Sequence, residues 1–387
     1  MVSIEHLGVM VAGGVGLDEL VDLADRGEVS DIDLWRVSMP LVNPHRAAHG
    51  DESVRQVVIV RLVLGDGTEG WGECPTLTHP TYASEYTAGA FALLRDELVP
   101  WLLGGAGGPP IGHPMAVSAI LGARLDAVLR GRGESLVDRL GSRFGRPEPT
   151  VATTAVIGLG ADPEATISAV ARAVEGGAVM VKVKVSPRPV DLAMIGTVRS
   201  IWPDLALAVD GNGTLDTRSV DQLEGLGLAY VEQPAPTDDL LGSAALARRL
   251  SCPVALDESV TSMAALEAAL TLGAGSVVNI KPARLGGPMA AAALARAAVD
   301  AGCGVFVGGM LETAVGRATA LAVAAMPFCT FPTDLGPSSR YFAEDLAQPV
   351  NADGSGRLVV PSGNGCGVTP DVGRLAQVEL DHHHRSR

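Results

Sequence analysis

The middle of the chain alternates short apolar runs with longer amphipathic stretches at a nearly constant pitch. V-M-V-K-V-K-V, A-L-A-V-D, A-Y-V-E, P-V-A-L-D and S-V-V-N-I-K each have the composition of a buried strand with charge at or near its end. The residues Lys184, Asp210, Glu232, Asp257 and Lys281 recur about 26, 22, 25 and 24 residues apart. Each interval holds one strand, one crossover helix and two loops, the unit of a (β/α) barrel. Helical periodicity fills the gaps, near 163–176, 190–201, 216–226, 238–250, 262–273, 287–302 and 314–325. The pattern predicts a barrel over residues 146–327, with the charged strand ends on its C-terminal face, where such barrels do their chemistry.

Upstream the period changes. D-L-W-R-V-S-M-P-L, V-R-Q-V-V-I-V-R-L-V-L and G-D-G-T-E-G-W-G-E-C read as strands, and the D-G dipeptide between apolar runs is a hairpin signal. Helical patterns follow from Tyr82 to about Leu103, from Pro114 to about Arg130 and from Glu134 to Leu140. Three strands followed by three helices predict a separate α+β domain over 31–145. Residues 1–30 form an N-terminal extension in which Leu17 to Ala24 has the pattern of a short helix. The segment 328–370, rich in Pro, Gly and Ser, is expected to pack back on the first domain. Residues 371–387, closing in D-H-H-H-R-S-R, read as a disordered tail whose histidines would bind metal only adventitiously.

Length and charge narrow the possibilities. At 387 residues the chain exceeds a single barrel by about a hundred residues, in keeping with a second domain. A net charge of -15 with no basic segment argues against nucleic acid or an anionic membrane as partner. A carboxylate substrate must then be met by local cations or a metal. The five cysteines lack C-x-x-C spacing and are odd in number, which points to a reducing compartment. The start has no basic region ahead of its apolar run, and the alanine-rich stretch from Met289 to Val307 is broken by Arg296 and Asp300. A cytoplasmic location is expected.

Asp210, Glu232 and Asp257 are hard oxygen ligands delivered by successive strands, and with no His or Cys beside them they favour Mg²⁺ or Mn²⁺. Lys182 and Lys184 alternate with valines, so both point to one face of their strand, the barrel interior. Lys281 ends a strand about four positions around the barrel, on the opposite wall. Lys184 and Lys281 would thus face each other across a substrate whose carboxylate sits on the metal. That arrangement suits removal of the proton alpha to a carboxylate, with the enediolate charge stabilised by the cation. A base on one face allows elimination, whereas a base on each face allows racemisation.

V-K-V-K-V, V-D-G-N, V-E-Q-P, L-D-E-S and N-I-K-P, in this order, resemble the muconate lactonizing enzyme subgroup of the enolase superfamily. R-V-S-M-P-L-V, E-G-W-G-E-C, Y-A-S-E-Y, G-G-M-L-E-T-A-V-G-R-A and D-L-G-P-S-S-R-Y-F look like its o-succinylbenzoate synthase and N-succinylamino acid racemase branch. The resemblance runs from about Asp31 to Val368. It implies an α/β fold, a modified TIM (β/α) barrel under an α+β capping domain. It also implies Mg²⁺ or Mn²⁺ on Asp210, Glu232 and Asp257, with Lys184 and Lys281 as acid and base. Lys182 would be their electrostatic partner, Asn212 and Glu258 would lie near the ligands, and Gly309 and Met310 would lie beside the substrate. N-acylamino acid racemisation is the expected reaction, with o-succinylbenzoate formation for menaquinone synthesis as the alternative and a silent binding protein as the remote one. Homo-oligomers are common in this branch, and one is expected here.

The departures concern the substrate. T-T-A-V-I-G-L replaces a run that usually carries a serine, so Val156 stands where a polar group would face the substrate. In the loop N-P-H-R-A-A-H-G, His45 and His49 occupy positions that are often aromatic, and Arg46 is a candidate to neutralise a succinyl carboxylate.

Overall fold

The computed structural model describes residues 28–47, 50–105, 110–160 and 162–387, with the side chains of 45–51 outside that description. The helix expected at Leu17 to Ala24 and the side chains of His45, Arg46 and His49 therefore lie outside the described residues. The first domain opens with β1 (Val29–Ala47), β2 (Gly50–Leu64) and β3 (Glu69–Cys74) in an antiparallel sheet. Gly67, in the left-handed region at φ 84°, makes the β2–β3 turn that the D-G dipeptide predicts. Helices α1 (Thr87–Leu93), α2 (Val99–Leu102), α3 (Pro114–Arg132) and α4 (Leu136–Phe144) follow, with a π-helical turn at Leu94–Leu98 joining the first two.

The alternation in E-G-W-G-E-C explains how α3 docks. Gly70 and Gly72 face the helix so closely that a Cβ would lie 2.1 Å from the Ala123 carbonyl and 2.0 Å from that of Ala119. Trp71, one residue out of phase, points to the other face and stacks on Trp35 at 5.9 Å. One face of the sheet buries Leu34, Val58, Val60 and Leu62 against the helices. The other packs Trp35, Val37, Val57 and Ile59 against Val315, Ala318 and the C-terminal segment. With both faces covered, the sheet reads as a near-continuous apolar run in β2.

After β4 (Thr150–Val151) comes the barrel. Its units are β5 (Ala155–Ile157), α5 (Pro163–Glu175), β6 (Val181–Lys184), α6 (Pro189–Ile201), β7 (Leu207–Asp210), α7 (Thr217–Leu223), β8 (Val231–Glu232) and α8 (Leu240–Ala247). They continue with β9 (Val254–Leu256), α9 (Met263–Leu272), β10 (Val277–Ile280), α10 (Pro288–Asp300), β11 (Gly304–Val307) and α11 (Ala314–Ala324). Asp162, Asp216, Asp239, Ser262 and Thr313 cap their helices by accepting from backbone N–H groups.

The seven strands β5 to β11 form one parallel sheet in sequence order. Residues 330–334 take the eighth place. Thr330 and Asp334 donate backbone N–H groups to Val305 and Val307 of β11, while Thr333 exchanges bonds with Ala152 and Thr154. The barrel is thus closed by a segment beyond the expected boundary at 327. Its T-F-P-T-D sequence carries a proline and too few apolar residues to announce a strand.

The chain then returns to the first domain through β12 (Leu358–Val359), which pairs with β4, and α12 (Val372–Val378), which packs against the sheet. The tail expected to be disordered is instead strand β13 (Glu379–Ser386), antiparallel to β1 at the sheet edge. His382 stacks on Trp35 at 4.9 Å, and His382 and His384 approach Asp33 at 3.1 and 2.9 Å. Alternate histidines meeting a tryptophan and a buried carboxylate supply contacts that polar composition alone concealed. None of the five cysteines forms a disulfide.

Candidate active site

The strand ends converge on a cavity of about 490 Å³ between the barrel mouth and the capping domain. Lys182, Lys184, Asp210, Asn212, Glu232, Asp257, Lys281, Val156, Gly309 and Met310 all line it. Glu258 stands just behind, accepting from the Asn212 side chain at 3.2 Å. Register explains the convergence: Lys184 is paired with Asp210, and Asp210 with Glu232, across adjacent parallel strands. Lys281 follows β10, four places from β6 in the sheet order.

Charges on this floor are buried and matched. Lys184 donates to Asp210 and to Asn212, both at 2.7 Å, and Lys182 bonds Glu232 and Asp334. Lys281 donates to Asp257 at 2.8 Å and to the Tyr82 hydroxyl at 3.0 Å, with its ammonium 4.8 Å from the Tyr82 ring centre. Burial penalises the Asp257 carboxylate, but Lys281 and Arg284 outweigh it and hold Asp257 well below the usual carboxylate range. Burial lowers Lys281 as well, yet Asp257 and Tyr82 prevail and keep it an ammonium. Glu232 behaves in the opposite way. Burial pushes it up, and the negative charges of Asp210, Asp334 and Asp257 add to that push against Lys182.

The local backbone is unusual here. Among the described residues, the non-glycine residues with positive φ are Asn212 (41°), Gln233 (36°) and Leu311 (57°). Asn212 and Leu311 line the cavity, and Gln233 follows Glu232. Such conformations persist where surrounding contacts enforce them. Gln233 shows how: its carbonyl oxygen accepts from the N–H groups of Asp257 and Ser259, while its amide donates to Ala235 and Ser259.

The donor set fits a hard divalent cation. It is all oxygen and it lies in one cavity. As it stands, each carboxylate faces a lysine, and among the described residues no three acidic or imidazole groups form a ready chelate. Asp210, Glu232 and Asp257 would hold the cation by exchanging their lysine partners for it.

Four residues of the site escape sequence reasoning. Arg284 reaches Tyr82 and both the side chain and carbonyl of Asp257; its signal was the position three residues after Lys281. Tyr82 comes from the capping domain. Asn279 donates to Glu232 at 2.7 Å from within β10. Asp334 comes from the closing segment.

The wall formed by Gly309, Met310 and Leu311 is fixed from the capping domain. Arg55 of β2, fully buried, donates to the carbonyls of Met310 at 2.8 Å and Leu311 at 3.3 Å, and also to those of Gln56, Pro75 and Thr76. Glu73 of β3 accepts from the Thr313 N–H and hydroxyl and from the Gly316 N–H, so it caps α11 from another domain.

Residues 165–374 match the enolase C-terminal domain-like family model. The chain belongs to the enolase superfamily. It is 38% identical over 357 residues to an N-succinylamino acid racemase from an Amycolatopsis species, covering 89% of this chain and 95% of that relative. An o-succinylbenzoate synthase from Listeria innocua is 30% identical over 352 residues, covering 88% of this chain and 93% of its own. The solved structure of an enolase superfamily member from Listeria innocua superposes with a TM-score of 0.85 at 28% identity, covering 93% of this chain and 99% of that one. The modified barrel with its α+β cap is the architecture expected of the superfamily, as the sequence motifs implied.

Proposed function

We propose that this enolase superfamily member removes the proton alpha to a carboxylate through an enediolate intermediate and racemises N-acylamino acids, N-succinylamino acids among them. The observation that carries this reading is the placement of Lys184 and Lys281 on opposing walls of one cavity, with Asp210, Glu232 and Asp257 on the strands between them. A Mg²⁺ or Mn²⁺ ion bound there would neutralise a substrate carboxylate and the charge that develops on it. The chain's own residues supply the rest. With Asp257 committed elsewhere, burial and the Arg284 charge favour the neutral form of Lys281 against the opposing influence of Tyr82. Lys184, held by Asn212, would serve the other face of the alpha carbon. One lysine takes the proton while the other returns one.

Dehydration to o-succinylbenzoate is the second reading, supported by the 30% identical relative of that name, and it needs only one of the two bases. Proton exchange in D₂O, followed by NMR for each enantiomer of an N-succinylamino acid, tests the two-base reading. Lys184→Ala and Lys281→Ala should each stop racemisation yet keep exchange on the one enantiomer facing the surviving lysine. Undiminished exchange of both enantiomers in either variant would defeat the proposal. Aromatic product from the cyclohexadiene substrate, without racemisation, would favour the synthase.

A further inference from the structure

Among the described residues, the cations around the cavity are committed, with one exception. Lys182, Lys184 and Lys281 are paired with carboxylates, and Arg317 is 1% exposed with its guanidinium on the Glu312 and Gly336 carbonyls. Arg340 differs. It lines the cavity from its exposed rim, and among the described residues its guanidinium has one hydrogen-bond acceptor, the Val156 carbonyl, and no carboxylate within ion-pair distance. Most of a guanidinium's five N–H donors therefore stay available.

Arg340 is also held in place. Its guanidinium lies 5.6 Å from the centre of the Tyr341 ring, which also has the Arg317 guanidinium at 4.3 Å. Its stem passes so close to Gly336 that a Cβ there would come within 2.8 Å of the Arg340 Cδ. Topology sets its direction. The carboxylates end β7, β8 and β9, whereas Arg340 follows the closing segment 330–334 and touches β5, which puts it across the ring from Glu232.

We infer that Arg340 is a specificity-determining residue that binds the distal carboxylate of a dicarboxylic N-acyl chain, in the role the sequence suggested for Arg46. This rests on the N-acylamino acid reading of the same cavity: a substrate with its alpha carboxylate at Asp210, Glu232 and Asp257 extends its acyl chain toward the opposite rim. Val156 and Leu159 would flank the methylenes and leave Arg340 as the polar terminus. The substrate class is then acyl groups that end in an anion, in preference to acetyl or amide-ended chains.

Binding tests the inference apart from turnover. N-succinyl-L-phenylalanine and its terminal amide, N-succinamyl-L-phenylalanine, are titrated calorimetrically into the full chain with Mg²⁺ present. The wild type should bind the acid roughly ten-fold or more tighter than the amide, the scale of one charge-assisted hydrogen bond at a partly exposed site. Arg340→Gln should bring that ratio close to one, and Arg340→Lys should keep part of it. In the wild type alone the ratio should shrink as salt is raised. A wild-type ratio near one, a salt-independent ratio, a ratio unchanged in Arg340→Gln, or no binding of either ligand would each overturn the assignment. Deuterium exchange at the alpha carbon decides the racemase reading separately, because a protein that binds the acid selectively without exchanging it keeps Arg340 in this role and loses the reaction.

Discussion

The floor and the rim of the cavity are built by different means. On the floor, the functional groups project from strand ends, and hydrogen bonding between adjacent parallel strands fixes Lys184, Asp210 and Glu232 in step. The ion pairs there are largely buried, so each partner sets the charge state of the next. The rim is assembled from segments distant in sequence: residues 41–44 of β1, then 158–160, 309–311 and 336–341. Its shape depends on backbone carbonyls tied down by Arg55 and on helix α11 capped by Glu73. A floor of this kind can keep one chemistry while the rim changes what it accepts.

The contrast can be broken at four points. Lys281→Ala should have the largest effect, a loss of about 10³-fold in racemisation rate, within the range for a missing acid or base. Fold and metal binding should survive, and polarimetry with circular dichroism checks both. Next is Asp257→Asn, which strands Lys281 and Arg284 without their anion. The metal-free protein should lose about 3 kcal/mol in urea unfolding, and calorimetry should show weakened Mg²⁺ binding.

On the rim, Arg55→Met removes the donor from several buried carbonyls and should cost about 2 kcal/mol. Its kinetic signature should be a higher KM with a smaller change in kcat, since the Met310–Leu311 wall shifts while the lysines stay. An equal fall in kcat would mean that the rim also positions the chemistry. The remaining effect lies in the cap and shows only as a dependence on pH. Glu85 accepts from the N–H groups of Met115 and Ala116 at the start of α3, and burial pushes its carboxyl up to about 7. With the folded value above the unfolded one, the native state holds the extra proton between about pH 4.5 and 7. Stability should therefore fall as pH rises through that window and level off above it. Glu85→Gln should remove up to about 1.4 kcal/mol per pH unit of that slope, as read from denaturant midpoints at several pH values.

The same division explains what the sequence revealed. Strand period and pitch were enough for Lys182, Lys184, Asp210, Glu232, Asp257 and Lys281, because a side chain at a strand end has little choice of direction. The D-G dipeptide marked the β2–β3 turn of the cap. Tyr82, Arg284, Asp334 and Arg55 were illegible, since each acts on a partner that only the fold brings near. Arg55 and Leu311, for example, are separated by 256 positions. The histidines of β13 were taken for tail because polar residues at a sheet edge carry no apolar period, although Trp35 and Asp33 give them partners.

Strand β13 has a consequence for how the protein is made. Asp31 and Ser386 meet across the sheet although 355 positions separate them. While the ribosome is still translating the barrel, β1 stands with an open edge, a template for pairing with other nascent chains. The sheet of the cap is completed only after the whole barrel has emerged. That single pairing covers the open edge of β1 and ties the two ends of the described chain into one sheet.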